Sequence, residues 1–239
     1  MRRDHNRLPL TNERAQGGML DWSSIDTVLL DMDGTLLDLY FDNYFWTRHV
    51  PEAYSRKHEL NHTVSIDQLQ DTLNIKPGTL EWYSLDHWSE QLKIDIPTLK
   101  QELAHMINLR PFALEFLEQL QRGPCDVVMV TNAHRKALNI KMNNVDIRHC
   151  FDAIVISHEL DAPKEEQNFW HRLQSIHPFD PARTLLIDDT ENVLHAARQY
   201  GIAHLLTLLQ PDSRGQIRVN THFPGIHHFD EIMPGAQKS

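Results

Sequence analysis

The chain has 239 residues, of which 41% are hydrophobic, and a formal net charge of −10. This length predicts one globular domain or a core with a modest insertion, and no apolar run is as long as a membrane helix requires. The negative charge argues against a DNA or RNA polymer as a partner. A small phosphorylated ligand remains possible, because a metal ion and one or two local cations can neutralise it.

The cysteine content and the N-terminal segment indicate the cellular compartment. Cys125 and Cys150 are the only cysteines, too few for a disulfide framework in a chain of this length. Residues 1–18 include arginines and acidic residues but lack the continuous apolar centre of a secretory signal. We therefore expect a cytoplasmic protein with a disordered N-terminal extension over residues 1–18.

Short apolar runs rich in β-branched residues alternate with helical patterns along most of the chain. The predicted strands are 27–30, 127–130, 153–156, 184–187 and 204–209, and the predicted helices are 111–121, 133–142, 165–174 and 191–200. Uninterrupted apolar strands are typical of a parallel sheet that is buried on both faces. The alternation predicts an α/β fold with a doubly wound parallel sheet, built from residues 19–38 and 111–239.

Residues 39–110 interrupt this alternation, because they contain several helical patterns and no convincing strand. Ser65 can cap one helix, and Pro97 lies near the start of another. We predict an all-helical insertion that lies over the carboxyl ends of the strands, where ligands bind in such sheets. A cap at that place can exclude water and recognise the leaving group. After Gln210, three prolines predict an irregular tail, from which Phe223 or Phe229 packs back on the core.

Two aspartates directly follow the first predicted strand. Asp31 and Asp33 can both approach one site if the backbone turns sharply at Gly34. Adjacent carboxylates repel each other unless a cation or a proton intervenes, and Mg²⁺ suits oxygen ligands of this kind and also bridges to substrate phosphate. One carboxylate can attack phosphorus while the other handles the proton of the leaving group. The alternative is an ordinary strand end and turn, in which Asp and Gly are common.

Polar side chains also follow the other predicted strands. Thr131 and Asn132 follow the second strand, Lys164 follows the third, and Asp188 and Asp189 follow the fourth. A hydroxyl and backbone amides can hold phosphoryl oxygens, a lysine can offset negative charge, and carboxylates can complete a magnesium shell. Each has a structural explanation by itself, as a helix cap, a surface lysine or a turn. Four strand ends with matching chemistry favour a phosphoryl-transfer site.

These four motifs, in order from Asp31 to Asp189, resemble those of the haloacid dehalogenase-like hydrolase superfamily. The resemblance implies a Rossmann-like core with a helical cap, and catalysis through an aspartyl-phosphate. Asp31 would attack phosphorus, and Asp33 would protonate the leaving oxygen and then activate water. Mg²⁺ would be bound by the Asp31 carboxylate, the Asp33 carbonyl and Asp189, while Asp188 would support the metal indirectly.

The resemblance further implies that Thr131, Asn132 and Lys164 surround the phosphoryl group. Asp33 separates branches of the superfamily, because the dehalogenases need no metal and lack a second aspartate at this place. A leaving oxygen needs a proton donor, so Asp33 favours phosphoryl transfer. The transporting ATPases carry a lysine after the nucleophile and span a membrane, and this sequence has neither feature.

A closer resemblance, over nearly everything from Leu20 to about Leu209, is to the GMP/IMP nucleotidase group. The segments that carry it are 22–54, 131–134, 157–159 and 163–165. Glu165 follows the third-motif lysine where proline is usual, a variation that this group shares. The resemblance implies hydrolysis of purine 5′-nucleoside monophosphates. A phosphatase or phosphomutase for sugar phosphates or phosphoglycolate is a second hypothesis, and a non-catalytic binding protein on the same fold is a third.

Candidate contacts to a purine lie at the start of the helical insertion. Phe41 and Trp46 are candidates for stacking on a base, although aromatic residues at helical spacing usually form core. Asp42 and Asn43 are candidates for hydrogen bonds to a base or ribose, or they cap the first helix of the insertion.

Overall fold

A parallel sheet of six strands forms the centre of the computed structural model, which describes residues 20–59 and 77–235. The strands are β1 Thr27–Leu30, β2 Asp126–Thr131, β3 Ala153–Ile156, β4 Thr184–Ile187, β5 His204–Leu208 and β6 Gly225–Ile226. Their order is β3-β2-β1-β4-β5-β6, and all neighbours pair in parallel. β1 therefore lies between β2 and β4, and its carboxyl end adjoins theirs.

Helices connect the strands of the core. They are α6 Ala113–Gln121, α7 Arg135–Val145, α8 Gln167–Ile176 and α9 Glu191–Tyr200. The first three begin two residues later than the sequence pattern predicts, because the preceding residue has a non-helical conformation. Phe112, for example, has a left-handed φ of 63° immediately before α6. The prediction of a doubly wound α/β fold is confirmed.

Both faces of the sheet are covered by apolar side chains. Successive residues of a strand point to opposite faces, so Val28 and Leu30 join one hydrophobic cluster with Phe116 of α6. Leu29 joins a second cluster with Trp170 of α8. Burial on both sides explains why these strands are uninterrupted apolar runs, and it leaves their carboxyl ends as the place for polar groups.

Between β1 and β2 the chain forms a helical segment, which we call the cap segment and define as residues 39–59 and 77–110. Its elements are α1 Tyr40–Tyr44, a π-helical turn Phe45–His49, α2 Val50–His58, α3 Leu80–Tyr83, α4 Leu85–Leu92, α5 Ile96–Glu102 and a 3₁₀ turn Ala104–Met106. Its apolar side chains form a hydrophobic cluster around Phe45 and Trp88, which Ala137 of α7 also joins.

The two ends of the cap segment lie side by side. Leu37 and Leu109 form an antiparallel bridge, and the amide of Asp38 donates to the carbonyl of Asn108 over 3.0 Å. The segment thus leaves and rejoins the core at one place near the end of β1. The predicted helix at Ser65 and the predicted extension over residues 1–18 fall outside the described residues.

The tail after Gln210 is more ordered than the prolines predict. β6 extends the sheet, and it escapes a pattern search because it has two residues and directly follows Pro224. Phe229 is buried and stacks on Phe116 at 4.9 Å between ring centroids, and Phe223 is also buried, as predicted. Among the described residues, no helix has the length and apolar character needed to cross a membrane.

Candidate active site

The turn after β1 depends on a glycine. The Asp31 amide donates to the Ile187 carbonyl of β4 over 3.0 Å, so the strand pairing continues to Asp31. The chain then turns at Gly34, whose φ is +81°. A Cβ at this position would lie 2.6 Å from Cγ of Asp189. Glycine is therefore required both by the backbone conformation and by the close approach of the Asp189 carboxylate.

Lys164 joins the ends of three strands. Its Nζ lies 2.5 Å from Oδ1 of Asp31 and 2.7 Å from Oδ2 of Asp188, and it also donates to the carbonyl of Val130 over 3.2 Å. The ammonium is almost fully buried, so both carboxylates face it at low solvent exposure. The amide of Lys164 donates to Oδ1 of Asn132 over 3.0 Å, which fixes the lysine backbone beside β2.

Three buried carboxylates converge beside this lysine. Oxygen atoms of Asp31, Asp188 and Asp189 lie within 4.8 Å of one another. Burial raises the pKa of Asp31 to about 6, although Lys164 opposes the shift. Burial, together with Asp31 and Asp188, also raises the pKa of Asp189 well above its usual range. Three carboxylates against one ammonium leave an excess of negative charge, and hard divalent cations such as Mg²⁺ prefer such oxygen donors. The donor set fits the predicted metal.

Asp33 faces the cap segment. Its Oδ1 forms an ion pair with Nζ of Lys141 at 2.5 Å, and the same ammonium lies 2.7 Å from Oδ2 of Asp42. Lys100 of α5 contacts the other oxygen of Asp42 at 2.6 Å. Burial raises the pKa of Asp33 to about 6, against the effect of Lys141. Burial also disfavours the charged form of Asp42, but Lys100 and Lys141 outweigh it and lower the pKa of Asp42 to about 2.

The residues that follow β2, which are the predicted phosphate-binding residues, connect the core to the cap segment through hydrogen bonds. Thr131 is buried, and its hydroxyl accepts from the Ala133 amide over 3.0 Å. The Asn132 amide donates to Oε2 of Glu165 over 2.9 Å, and the Tyr83 hydroxyl of α3 donates to Oε1 over 2.6 Å. Glu165, which replaces the usual proline, therefore bridges Asn132 to the cap segment. Burial, reinforced by Glu165, raises the pKa of Tyr83.

A cavity of about 460 Å³ lies between the cap segment and the end of β1. Asp33 lines it on the side of the core, and Trp46, Trp82 and Trp88 line it on the side of the cap segment. The rings of Trp46 and Trp82 each meet Trp88 edge to face, with centroids 6.0 and 5.9 Å apart. The cavity thus combines a wall of indole rings with one of the two strand-end aspartates.

The candidates at the start of the cap segment occupy different places. Asp42, Asn43 and Trp46 line the cavity, and Asn43 also donates to Asp212 over 2.7 Å. Phe41 is buried in the core. The capping role considered for Asp42 is wrong, because α1 already begins at Tyr40 and Asp42 lies within it.

Among the cavity residues that sequence reasoning missed are its two lysines, Lys100 and Lys141. A signal for Lys141 was available, because it lies three residues after Leu138 and four after Ala137, both buried, and therefore on the apolar face of α7. Lys100 likewise lies four residues after the buried Ile96 in α5. A lysine on an apolar face has to find a carboxylate partner, and Asp42 is that partner for both.

Arg218 in the tail was also missed. Its guanidinium lies 3.7 Å from Oδ2 of Asp189 and also donates to the carbonyl of that residue. The sequence held no signal for this contact, since the surrounding tail has no periodic pattern. The tail therefore supplies a cation at the edge of the strand-end carboxylates.

The sheet and the polar groups at its carboxyl edge define an α/β protein whose candidate site lies at the end of β1. A model of the haloacid dehalogenase-like hydrolase family matches residues 28–207. The chain belongs to this family, and it is a hydrolase of the phosphatase type.

Individual relatives cover nearly the whole chain. This chain is 37% identical over 213 residues to the GMP/IMP nucleotidase YrfG of Escherichia coli K12, and the match covers 89% of this chain and 96% of that protein. It is 20% identical over 215 residues to a phosphorylated carbohydrates phosphatase of Thermotoga maritima, covering 87% and 97%. A haloacid dehalogenase-type phosphatase from Thermococcus onnurineus shares the fold, with a TM-score of 0.72, 17% identity, and coverage of 87% and 95%.

Proposed function

We propose that this protein is a magnesium-dependent phosphatase that hydrolyses the purine 5′-nucleoside monophosphates GMP and IMP through an aspartyl-phosphate on Asp31. The observation that carries the substrate is the 37% identity over 96% of the GMP/IMP nucleotidase of E. coli. The cavity beside Asp33 supports it, because indole rings suit the flat face of a purine.

In the proposed reaction the Asp31 carboxylate attacks phosphorus and the bond from phosphorus to the ribose oxygen breaks. Asp33 gives its proton to that leaving oxygen, and it then takes a proton from the water that attacks the aspartyl-phosphate. Thr131, Asn132 and Lys164 hold the phosphoryl oxygens. The second attack releases inorganic phosphate and restores Asp31.

Asp31 and Asp189, with the carbonyl of Asp33, would hold Mg²⁺, and Asp188 would support the metal indirectly. The bound ion would offset the charge that the carboxylates and the phosphate bring together. The support for this assignment is the convergence of three buried carboxylates within 4.8 Å. Lys164 and Arg218 together carry two positive charges against these three carboxylates.

We further propose that the cap segment closes over the substrate and excludes water from the site. Its two ends adjoin each other at Leu37 and Leu109, which suits a hinge, and Tyr83 reaches Glu165 on the core side. The free thiols of Cys125 and Cys150 suit a reducing compartment, and we propose the cytoplasm.

The test is phosphate release with Mg²⁺ from purine and pyrimidine monophosphates, sugar phosphates and phosphoglycolate. We expect GMP and IMP to have the highest kcat/KM. Equal values for all nucleotides would contradict recognition of the base.

A second candidate is a phosphatase for phosphorylated carbohydrates, which the Thermotoga maritima relative favours. In that case the same screen would give its highest kcat/KM with a sugar phosphate. Release of phosphate from none of these compounds would contradict both candidates.

A further inference from the structure

The cavity beside Asp33 contains a buried group of four charges in addition to its indole wall. Two carboxylates, Asp33 and Asp42, alternate with two ammonium groups, Lys141 and Lys100, in contacts of 2.5, 2.7 and 2.6 Å. The charges of this group balance. It therefore offers no excess positive charge for a second phosphate, and it favours an uncharged polar group on the substrate beyond the scissile phosphate.

The two lysines differ in how many of their protons are engaged. Lys141 is held between Asp33 and Asp42 and thus lies next to the proposed acid and base. Lys100 is set one side chain further away, behind Asp42. Within residues 20–59 and 77–235, its ammonium donates one hydrogen bond, to Asp42 Oδ1. An ammonium has three protons, so Lys100 retains donors for a ligand.

Aromatic rings surround these remaining protons. Nζ of Lys100 lies 4.5 Å from the ring centroid of Phe45 and 5.8 Å from that of Trp46, and the residue lines the cavity. Contacts to ring faces hold the ammonium in place without using strong acceptors. A substrate that enters beside Trp46 brings its polar edge to a buried cation.

Purines differ in what they present to such a donor. The 6-oxopurines guanine and hypoxanthine carry two acceptors, O6 and N7, on one edge, whereas adenine carries N7 beside a 6-amino donor. Lysine binds the O6 and N7 pair of guanine, and an ammonium can only donate. His134, which also lines the cavity, is less selective, because a neutral imidazole both donates and accepts.

We infer that Lys100 is a specificity-determining residue that donates hydrogen bonds to O6 and N7 of a 6-oxopurine stacked beside Trp46. This inference rests on the proposed function and assigns the group that distinguishes GMP and IMP from AMP. Asp42 is then a positioning residue, because it holds Lys100 against the cavity and Lys141 against Asp33.

The experiment measures kcat/KM of the wild type and of Lys100→Met for GMP, AMP and 7-deaza-GMP, which lacks the N7 acceptor, and for ribose 5-phosphate, which lacks a base. Lys57→Met, an exposed lysine of the same segment, is the matched control. We expect Lys100→Met to lower the ratio of GMP to AMP at least about tenfold, since a good contact to a base edge gives roughly 1–3 kcal/mol of discrimination. The ratio should be unchanged in Lys57→Met.

The deaza substrate tests the contact independently of the fold. Wild type should prefer GMP to 7-deaza-GMP, and this preference should vanish in Lys100→Met. Lys100→Gln, whose amide both donates and accepts, should retain part of the preference for GMP over 7-deaza-GMP but lose the preference for GMP over AMP, and it serves if the methionine variant does not fold. A parallel fall for all four substrates, with both ratios kept, would overturn the inference and leave Lys100 a structural role. Absence of GMP hydrolysis by the wild type would instead contradict the proposed function itself.

Discussion

Two buried charge clusters differ in how their charges are balanced. We call them the strand-end group, which is Asp31, Asp188, Asp189 and Lys164, and the cap group, which is Asp33, Asp42, Lys100 and Lys141. At the strand ends, the three carboxylates of Asp31, Asp188 and Asp189 face Lys164, and Arg218 contacts Asp189 from the edge, so negative charge is in excess. In the cap group two carboxylates face two lysines, and the charges balance within the protein. An unbalanced buried cluster is costly unless a cation or a proton completes it. This difference supports the proposal that the strand-end group takes up a metal ion and that the cap group lines a substrate pocket.

Asp33 connects the two clusters. It follows Asp31 by two residues, yet its carboxylate pairs with Lys141 and lines the cavity. One short turn therefore sends these two aspartates to different ammonium groups, Asp31 to Lys164 beside two further carboxylates and Asp33 to Lys141 at the cavity. This division suits the proposed roles, in which Asp31 attacks phosphorus and Asp33 exchanges protons with the leaving group and with water.

The largest effect is expected from Asp31→Asn. An amide oxygen is a poor nucleophile, so kcat for phosphate release should fall by about 10⁴-fold or more, while the melting temperature shows that the fold persists. Asp146→Asn, an exposed aspartate after α7, is the control and should keep full activity. Substantial turnover by Asp31→Asn would contradict covalent catalysis at this residue.

The second prediction tests which of the two clusters binds Mg²⁺. A chelator should abolish activity, and added Mg²⁺ should restore it and raise the melting temperature. A ligand that binds only the folded state adds about 2.7 kcal/mol at a hundred times its Kd. We expect Asp189→Asn to lose most of this stabilisation and Asp42→Asn to keep it. An equal Mg²⁺-dependent shift in the two variants would mean that the strand-end group is not the metal site.

The third prediction concerns pH and the internal balance of the cap group. The pKa of Asp42 is lowered to about 2 from the ordinary value of 3.8. A carboxyl group whose pKa is lower in the folded state stabilises the fold at pH values above its pKa in the unfolded state. This stabilisation is lost as the pH falls to the pKa of the folded state. The contribution is about 2 kcal/mol.

Urea unfolding of the wild type and Asp42→Asn at several pH values tests this linkage. The difference in free energy of unfolding should be constant above pH 7, where Asp33 is also ionised, and shrink below pH 4. Asp146→Asn should show no such narrowing. A difference that is independent of pH down to the acid limit of folding would show that Asp42 is not held ionised by Lys100 and Lys141.

The smallest effect is expected from Tyr83→Phe, which removes the hydrogen bond to Glu165 at the junction of cap segment and core. A hydrogen bond of this kind contributes about 1 kcal/mol, which corresponds to a few-fold change in a binding constant. We expect this change in the KM for GMP, with kcat nearly unchanged, because in the proposed closure the tyrosine joins the cap segment to the core and does not touch the reacting atoms. Tyr54→Phe, on α2, is the control. A fall in kcat of a hundredfold would place Tyr83 in the chemistry.

The sequence alone determined most of the sheet and the groups at its edge. β1, β3 and β4 begin and end at the predicted residues, because strands buried on both faces must be continuous apolar runs. Parallel strands also bring their carboxyl ends to one edge, so Asp31, Lys164 and Asp188 had to lie near one another. For these residues, position in the chain and position in space are linked by the topology.

Only the tertiary structure decided the cap group. Asp42 and Lys100 are 58 residues apart, and Asp42 and Lys141 are 99 apart, on three helices with no sheet register between them. A helical pattern reveals that a lysine lies on an apolar face, but the packing of the helices decides which carboxylate it meets. Asp42 shows this most clearly, since its sequence context suggested a cap or a ligand contact, and packing made it the bridge between two lysines.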